Sequence, residues 1–397
     1  MKENTKKMVE MLGGKENIKS INHCMTRLRA QLNDSTLVNK EALENNHFCK
    51  GIVVNGENIQ IVIGVKVKEI FKEILIFMGE KDEVKKNRLS FFSEIFLPMI
   101  SWILMTGMLL IFLKIPFLKE FRGIKELYEV LLRYFPAVLG YSLFTYFGKA
   151  PIVGIAFGFL MINLDLGDNL LVVLPAFYFL KKLNDILEKH IKDPFKILLA
   201  PSLSILIGYI IVSFFLKNLG EIVLLVFINW METVFDWKYY PILAGIFGGV
   251  YALSVKYGLH HILLFLDLQL ILSGVGTFFW PMVVVSNIAQ GAVALGSSFK
   301  EWKAAGLAYI GITEPAMYGI NLKENRRFVL AIILSSLGGY LCGIYRVKSM
   351  GIGPGGIPAI LVVNENSRIK FILIIVFIIV SGVILGLFLK KIRFKEN

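Results

Sequence analysis

The stretch Ile21-Asn22-His23-Cys24-Met25-Thr26-Arg27-Leu28-Arg29 sets a thiol beside a hydroxyl and two guanidinium groups spaced two apart. In an extended strand successive side chains alternate, so Arg27, Arg29 and Gln31 share one face and Leu28, Ala30 and Leu32 the other. A guanidinium lowers a thiol's pKa, and its planar fork matches the oxygens of a phosphoryl group. The pattern therefore supports a thiolate that carries a phosphoryl group. The plainer alternative is a buried strand cysteine followed by two solvated arginines. His23 is not the expected acceptor, because alternation turns it away from its neighbour. Cys49 and Cys342 have no basic partners and read as core residues, and three cysteines without framework spacing point to reduced thiols.

A second set of polar residues lies in apolar sequence, where ionisable groups are costly and face cavities. Glu314 follows Gly311-Ile312-Thr313 and precedes Pro315, which predicts a broken or re-entrant helix and a carboxylate able to act as a general base. Upstream, Lys256-Tyr257-Gly258-Leu259-His260-His261 is followed by Asp267 and Gln269. His260 and Asp267 fall two turns apart on one helix face, so a carboxylate-oriented imidazole is expected. No metal site or cofactor is expected: adjacent histidines do not share a helix face, and no His-x-x-x-His spacing occurs. Asn287 and Gln290 read either as substrate hydrogen-bonding residues or as ties between helices. The glycine-rich Gly351–Pro358 segment lacks the lysine–serine ending of a nucleotide loop and reads as a re-entrant or gating turn.

The elements that must hold these residues divide the chain of 397 residues, 55% hydrophobic and 18% charged, into a small leading domain and a membrane part. Charge-free runs at Ile95–Leu113, Ile197–Leu216, Tyr239–Val255, Leu268–Phe299, Phe328–Tyr345 and Phe371–Leu389 approach or exceed the roughly 20 residues of a membrane span. With shorter runs at 134–148, 150–164 and 169–180, which would be tilted, broken or re-entrant, about eight to ten spans are expected. The net charge of +13 comes from lysines and arginines flanking apolar runs, which marks cytoplasmic loops rather than nucleic-acid binding. The N-terminus has no apolar signal region, so the leading domain is expected in the cytoplasm.

That domain, 1–80, reads as a small α/β fold. A helix at Lys6–Leu12 ends at Gly13-Gly14, and strands follow at Ile18–His23 and Thr26–Leu32. Asp34-Ser35-Thr36 would cap a second helix through Leu43. Ile52–Ile63 reads as a hairpin with Asn55-Gly56 in a type I′ turn, and a last helix spans Val65–Phe77. Helices on one face of an antiparallel sheet fit this order. A charged linker at 81–89 would tether the domain to a helical, polytopic membrane domain at 90–397.

The cysteine stretch resembles the phosphorylation site of the B domain of sugar-specific enzyme II proteins of the bacterial phosphoenolpyruvate-dependent phosphotransferase system. The block Gly311-Ile312-Thr313-Glu314-Pro315-Ala316-Met317-Tyr318-Gly319-Ile320-Asn321-Leu322 resembles the signature of the matching C domain in the glucose, sucrose and β-glucoside superfamily. The order B then C is that of the family, and nearly the whole chain is covered.

The resemblance implies a phosphotransferase and permease of the bacterial inner membrane. Cys24 is the carrier, helped by Thr26, Arg27 and Arg29. Glu314 and His260 act at the sugar, with Thr313, His261, Asp267, Gln269, Asn287 and Gln290 as further sugar-binding candidates. It also implies an EIIA partner supplied in trans, since none follows residues 390–397, with HPr and enzyme I upstream, a lipid bilayer around it, and a homodimer through the C domain. Members of this family usually have longer C domains; the deficit is expected between Ile95 and Tyr141. Residues 266–271, 280–282, 286–291 and 314–323 are similar to trehalose-type members. Sucrose or β-glucoside specificity is the alternative, as is a shortened regulator that phosphorylates a transcriptional antiterminator. An ion-coupled transporter finds support only in the membrane spans.

Overall fold

The computed structural model describes residues 2–23, 27–46, 48–49, 51–63, 67–78, 90–257 and 259–396. Two compact units result, Met1–Asn87 and Arg88–Asn397. Cys24, Thr26 and the linker expected at 81–89 lie outside the described residues.

In the first unit a helix at Lys2–Met11 precedes β1 (Ile18–His23) and β2 (Arg27–Leu32); β3 (Gly51–Asn55), β4 (Asn58–Val62) and a helix at Val67–Met78 follow. The antiparallel sheet has the order β1-β2-β4-β3. Leu28, Ala30 and Leu32 of β2 and Ile59 and Ile61 of β4 point to the same side and are buried with Met8, Ile70 and Ile74 of the two helices. Each large aliphatic side chain so buried contributes about 1.5–3 kcal/mol. That burial fixes the register, because a slip of one residue would turn the apolar set into water.

Two local expectations are corrected. Asp34 accepts hydrogen bonds at 2.8 Å from the Thr36 amide and 2.7 Å from its hydroxyl, but it caps a 3-10 turn at Ser35–Leu37. The helix itself starts at Lys40, capped by Asn39 through the Ala42 amide at 3.0 Å. In the hairpin, Asn55 pairs with Asn58, so the two-residue loop is Gly56-Glu57. Among the described residues Gly56 has φ +61° and Glu57 is not left-handed, which is the type II′ pattern rather than type I′.

The second unit is helical. Among the described residues five helices are long and apolar enough to cross a membrane: Phe91–Phe112, Lys196–Asp236, Phe279–Ser297, Asn325–Ile344 and Glu365–Lys391. The expected eight to ten spans overcount by this measure. The apolar helices Pro151–Asn163 and His260–Leu272 have 13 residues each, about 20 Å against a hydrocarbon core of about 30 Å. Pro151–Asn163 instead packs closely on Phe135–Tyr146, where a Cβ on Gly140 would lie 2.2 Å from the Gly154 carbonyl oxygen. Two further runs differ from expectation. The run ending at Leu216 continues through a π turn at Val212–Leu216 to Asp236. The run at Leu268–Phe299 breaks between Leu272 and Phe279, where Gly274 and Gly276 have φ of +76° and +74°.

Candidate functional site

The face of β2 opposite the core carries Arg27, Arg29 and Gln31, as the alternation requires. Pairing aligns Arg29 with Asn22 of β1 on one side and with Gln60 of β4 on the other. Gln60 Oε1 accepts a hydrogen bond from Arg27 Nη1 at 3.2 Å, which orients that half-buried guanidinium. Arg29 is exposed. Two cations thus stand on a polar sheet face beside the amides of Asn22 and Gln60, and β2 starts one residue after Thr26. His23 closes β1 opposite Leu28.

In the second unit the polar residues gather where helices break. Asp267, 1% exposed, accepts a hydrogen bond from the Thr277 hydroxyl through Oδ1 and one from the Trp280 amide. The pairing of His260 with Asp267 expected from the sequence does not form. Seven residues separate their Cα atoms by about 10 Å along the axis, and the break after Leu272 brings Thr277 to the carboxylate instead. His260 Nδ1 is buried and has no partner among the described residues. The two imidazoles do meet, contrary to the helix-face argument: at the helix N-terminus their ring centroids are 4.1 Å apart.

Thr277 also builds the scaffold. Its backbone exchanges hydrogen bonds with Ser349, N to O at 2.8 Å and O to N at 2.7 Å. Ser349 bridges onward to Val363, and the Met350 amide donates to the Val362 carbonyl at 2.8 Å. The glycine-rich segment is therefore a loop closed at its neck. Its Gly355 carbonyl accepts from Asn287 Nδ2 at 2.8 Å.

The same loop touches the Glu314 segment. Gly311 has φ +102°, and a Cβ there would lie 2.5 Å from the Gly355 nitrogen. Gly311 thus separates the helix Trp302–Tyr309 from the helix Glu314–Gly319. Pro315 is not the breaker: it occupies the first turn of the new helix, where a missing N–H costs nothing. Glu314 is exposed and Thr313 buried, and no cation forms an ion pair with Glu314 among the described residues. Downstream, Asn321 Nδ2 donates to the Gln290 carbonyl at 2.9 Å and to its Oε1 at 2.8 Å. Asn287 and Gln290, one turn apart on the Phe279–Ser297 helix, thereby hold the two ends of the Glu314 region.

Gln269 is used differently. Its Nε2 donates to the Asp168 carbonyl and to Ser273 Oγ, both at 3.0 Å, and its Oε1 accepts from the Leu171 amide at 3.1 Å. It is a strut to the start of the Leu170–His190 helix, and its polar capacity is spent there.

Four further residues were not singled out from the sequence. Tyr251, buried, lies in the field of both Asp267 and Glu314. Trp280 Nε1, Tyr309 Oη and Asn321 Oδ1 are buried without partners among the described residues, as are Asp267 Oδ2 and Gln290 Nε2. Each belongs to an aromatic or amide side chain common in membrane helices, so only the fold distinguishes it.

A cation-faced α/β unit joined to a membrane unit with polar groups at its helix breaks defines a membrane permease carrying a group-transfer domain. Residues 6–39 match the family described as phosphotransferase system, EIIB. The chain is 28% identical to the PTS system trehalose-specific EIIBC component of Escherichia coli (strain K12), over 98% of this chain and 96% of that one. It is 30% identical to the PTS system trehalose-specific EIIBC component of Bacillus subtilis (strain 168), over 91% and 92%. It is also 30% identical to the PTS system sucrose-specific EIIBC component of Staphylococcus xylosus, over 92% of each. The chain belongs to the EIIBC components of the phosphotransferase system. It is a multi-pass membrane protein and a phosphotransferase that works in sugar transport and phosphorylation. The E. coli alignment runs over 459 positions, more than the 397 residues of this chain, so that relative contains segments this one lacks.

Proposed function

We propose that this chain couples uptake of a disaccharide, trehalose, to its phosphorylation, giving trehalose 6-phosphate. The domains would be 1–80 for the phosphocysteine carrier, 81–89 for the tether and 90–397 for the permease. HPr and enzyme I charge a histidine on an EIIA partner supplied in trans. The Cys24 thiolate attacks that phosphorus, the P–N bond breaks and a P–S bond forms. Arg27 and Arg29 bind the phosphoryl oxygens, with Thr26 donating a hydrogen bond, so positioning and charge neutralisation carry most of the catalysis. The sugar's primary hydroxyl then attacks the phosphorus, the P–S bond breaks and the thiolate returns. Glu314 takes the hydroxyl proton.

The observation that carries this reading is the set of polar atoms around Glu314. An exposed carboxylate without an ion-pair partner, among the described residues, lies on the segment between Tyr309 and Asn321, whose buried Oη and Oδ1 lack partners, as does Nε2 of the Gln290 bonded to Asn321. A polyhydroxylated ligand supplies the donors and acceptors such atoms require. His260, His261 and Thr313 would complete the sugar contacts, and Asp267 and Asn287 would hold the break regions that shape them. Trehalose is favoured over sucrose by the similarity of residues 266–271, 280–282, 286–291 and 314–323 to trehalose-type members, and the two relatives above from Escherichia coli and Bacillus subtilis are named trehalose-specific. The membrane domain would pair as a homodimer within a lipid bilayer.

Membranes containing the chain, incubated with enzyme I, HPr, EIIA, phosphoenolpyruvate and labelled trehalose or sucrose, test this directly. Trehalose phosphate is expected from the wild type and none from Cys24→Ser. Unchanged sugar phosphate from the variant overturns the carrier assignment, and sucrose phosphate alone overturns the substrate. A second reading rests on the short chain: a regulator phosphorylated on Cys24 that no longer transports. Proteoliposomes that phosphorylate Cys24 but accumulate no sugar phosphate would favour it.

A further inference from the structure

Away from the helix breaks, the second unit holds a cleft of about 370 Å³ between the start of the Pro151–Asn163 helix, the Leu170–His190 helix and the start of the Lys196–Asp236 helix. One wall is apolar, with Phe144, Val153 and Pro201. The other carries Lys149, Asn184, Glu188, Asp193 and Lys196. Lys149 Nζ is held by Asp185 Oδ1 at 2.7 Å and Glu188 Oε2 at 2.6 Å, and Asp185 Oδ2 is also bound by Lys181. These four charges form a preset frame.

Lys196 and Asp193 do not join it. Neither has an ion-pair partner among the described residues; at the lip of the cleft Asp193 is exposed and Lys196 half-buried. An unpaired cation and an unpaired anion three residues apart therefore face one apolar-backed space. Beside them Phe195, Ile197 and Leu198 are 63%, 82% and 67% exposed. Lys196 is also the first residue of a helix long and apolar enough to cross a membrane. A charged cleft at the end of such a helix, flanked by bare apolar side chains, is placed where lipid headgroups lie.

We propose that this cleft binds the phosphoethanolamine headgroup of a membrane lipid. Lys196 takes the phosphodiester, while Asp193 and the free oxygen of Glu188 accept hydrogen bonds from the primary ammonium. The acyl chains run along Ile197 and Leu198. Complementarity excludes the commoner alternatives. An anionic headgroup without a cation would leave Asp193 unmatched. A trimethylammonium has no N–H to donate to them and prefers aromatic faces. A soluble phosphoethanolamine ester shares the headgroup chemistry, but it gains nothing from the apolar flank.

The test uses the full chain in nanodiscs containing equal amounts of phosphatidylethanolamine and phosphatidylcholine, followed by detergent extraction and native mass spectrometry of retained lipid. Wild type is expected to retain phosphatidylethanolamine at least about tenfold over phosphatidylcholine, the discrimination of one charge-assisted hydrogen bond. Asp193→Asn is expected to abolish that preference and Lys196→Gln to lower retention of both lipids; both leave the Lys149 ion pairs intact, and neither should change the thermal midpoint measured in phosphatidylcholine alone. Equal retention of the two lipids by wild type overturns the proposal, as does a preference unchanged in Asp193→Asn. Displacement of the lipid by soluble glycerophosphoethanolamine at matched concentration overturns the assignment of a lipid as the occupant. Sugar phosphorylation is not measured in any arm, so the outcome is independent of the proposed transport function.

Discussion

The polar face of the N-terminal sheet and the polar cluster at the helix breaks of the membrane unit are built by opposite means. On the sheet, water solvates whatever the strand turns outward, so Arg27 and Arg29 need no dedicated partners beyond Gln60. In the membrane unit the scaffold amides are satisfied by protein, over long sequence separations, while other buried polar atoms are left without partners among the described residues. Gln269 reaches Leu171, and Asn287 reaches Gly355. A substitution on the sheet face should therefore alter chemistry with little effect on stability. At the breaks the same side-chain types carry both, and the task is to find which residues belong to the substrate and which to the scaffold.

The largest expected effect is at Glu314. Glu314→Gln keeps the size and a hydrogen-bonding end but cannot take a proton. Sugar phosphate formation should fall by at least about 10²-fold, the range for losing a general base. Phosphorylation of Cys24 by EIIA should be unaffected. Measuring both rates on the same membranes separates the two units, and parallel losses would break the comparison.

Gln269 gives the next largest effect, and of another kind. Gln269→Ala strips the Leu171 amide and the Asp168 carbonyl of their partner at once, and an unsatisfied buried group costs about 1–3 kcal/mol. The thermal midpoint should drop while KM for the sugar stays the same. A raised KM at unchanged stability would move Gln269 back among the sugar ligands, where the sequence had placed it.

The smallest effect belongs to the sheet unit, at Asp34. The Thr36 hydroxyl and then the Thr36 amide hold this exposed carboxylate below its ordinary value, against a weaker opposing effect of burial. With the folded value lower than the unfolded 3.8, its contribution to stability is present above that pH and is lost as pH falls through the folded value. Hydrogen exchange over Ser35–Leu37 should speed up on acidification in the wild type, relative to Asp34→Asn at each pH. Identical profiles would show that the cap carries no such linkage.

How much was legible in the sequence follows the same division. The strands, the buried side of β2 and the two arginines on its other face come from a period of two, which is local information. The hairpin's turn type was missed because Asn55 belongs to the last strand pair rather than to the loop. In the membrane unit, apolar runs located the helices but not their breaks: an unbroken run from Leu268 to Phe299 hides two left-handed glycines. Asp267 was assigned to His260 because both lie on one helix. The fold pairs it with Thr277 through a turn whose geometry no periodicity records. Glu314, Asn287 and Gln290 stood out in the sequence because their types are unusual in apolar runs; that Asn321 bonds to Gln290 depends on the return of the chain after Gly319.

The continuous helix from Lys196 to Asp236 also has a mechanical side. At 41 residues it is about 60 Å of rod. Its far end is pinned by Arg346, whose guanidinium donates to the Phe235 and Trp237 carbonyls and lies over the Tyr240 ring. A rod transmits displacement along its axis, so a shift at the charged cleft arrives at the Arg346 clamp undiminished unless something between them yields. Two points are softened: Pro201, which has no N–H to give the hydrogen-bond ladder, and the π turn at Val212–Leu216, where that ladder is out of step. Bending of the rod should concentrate at those two points, as it does in a jointed lever.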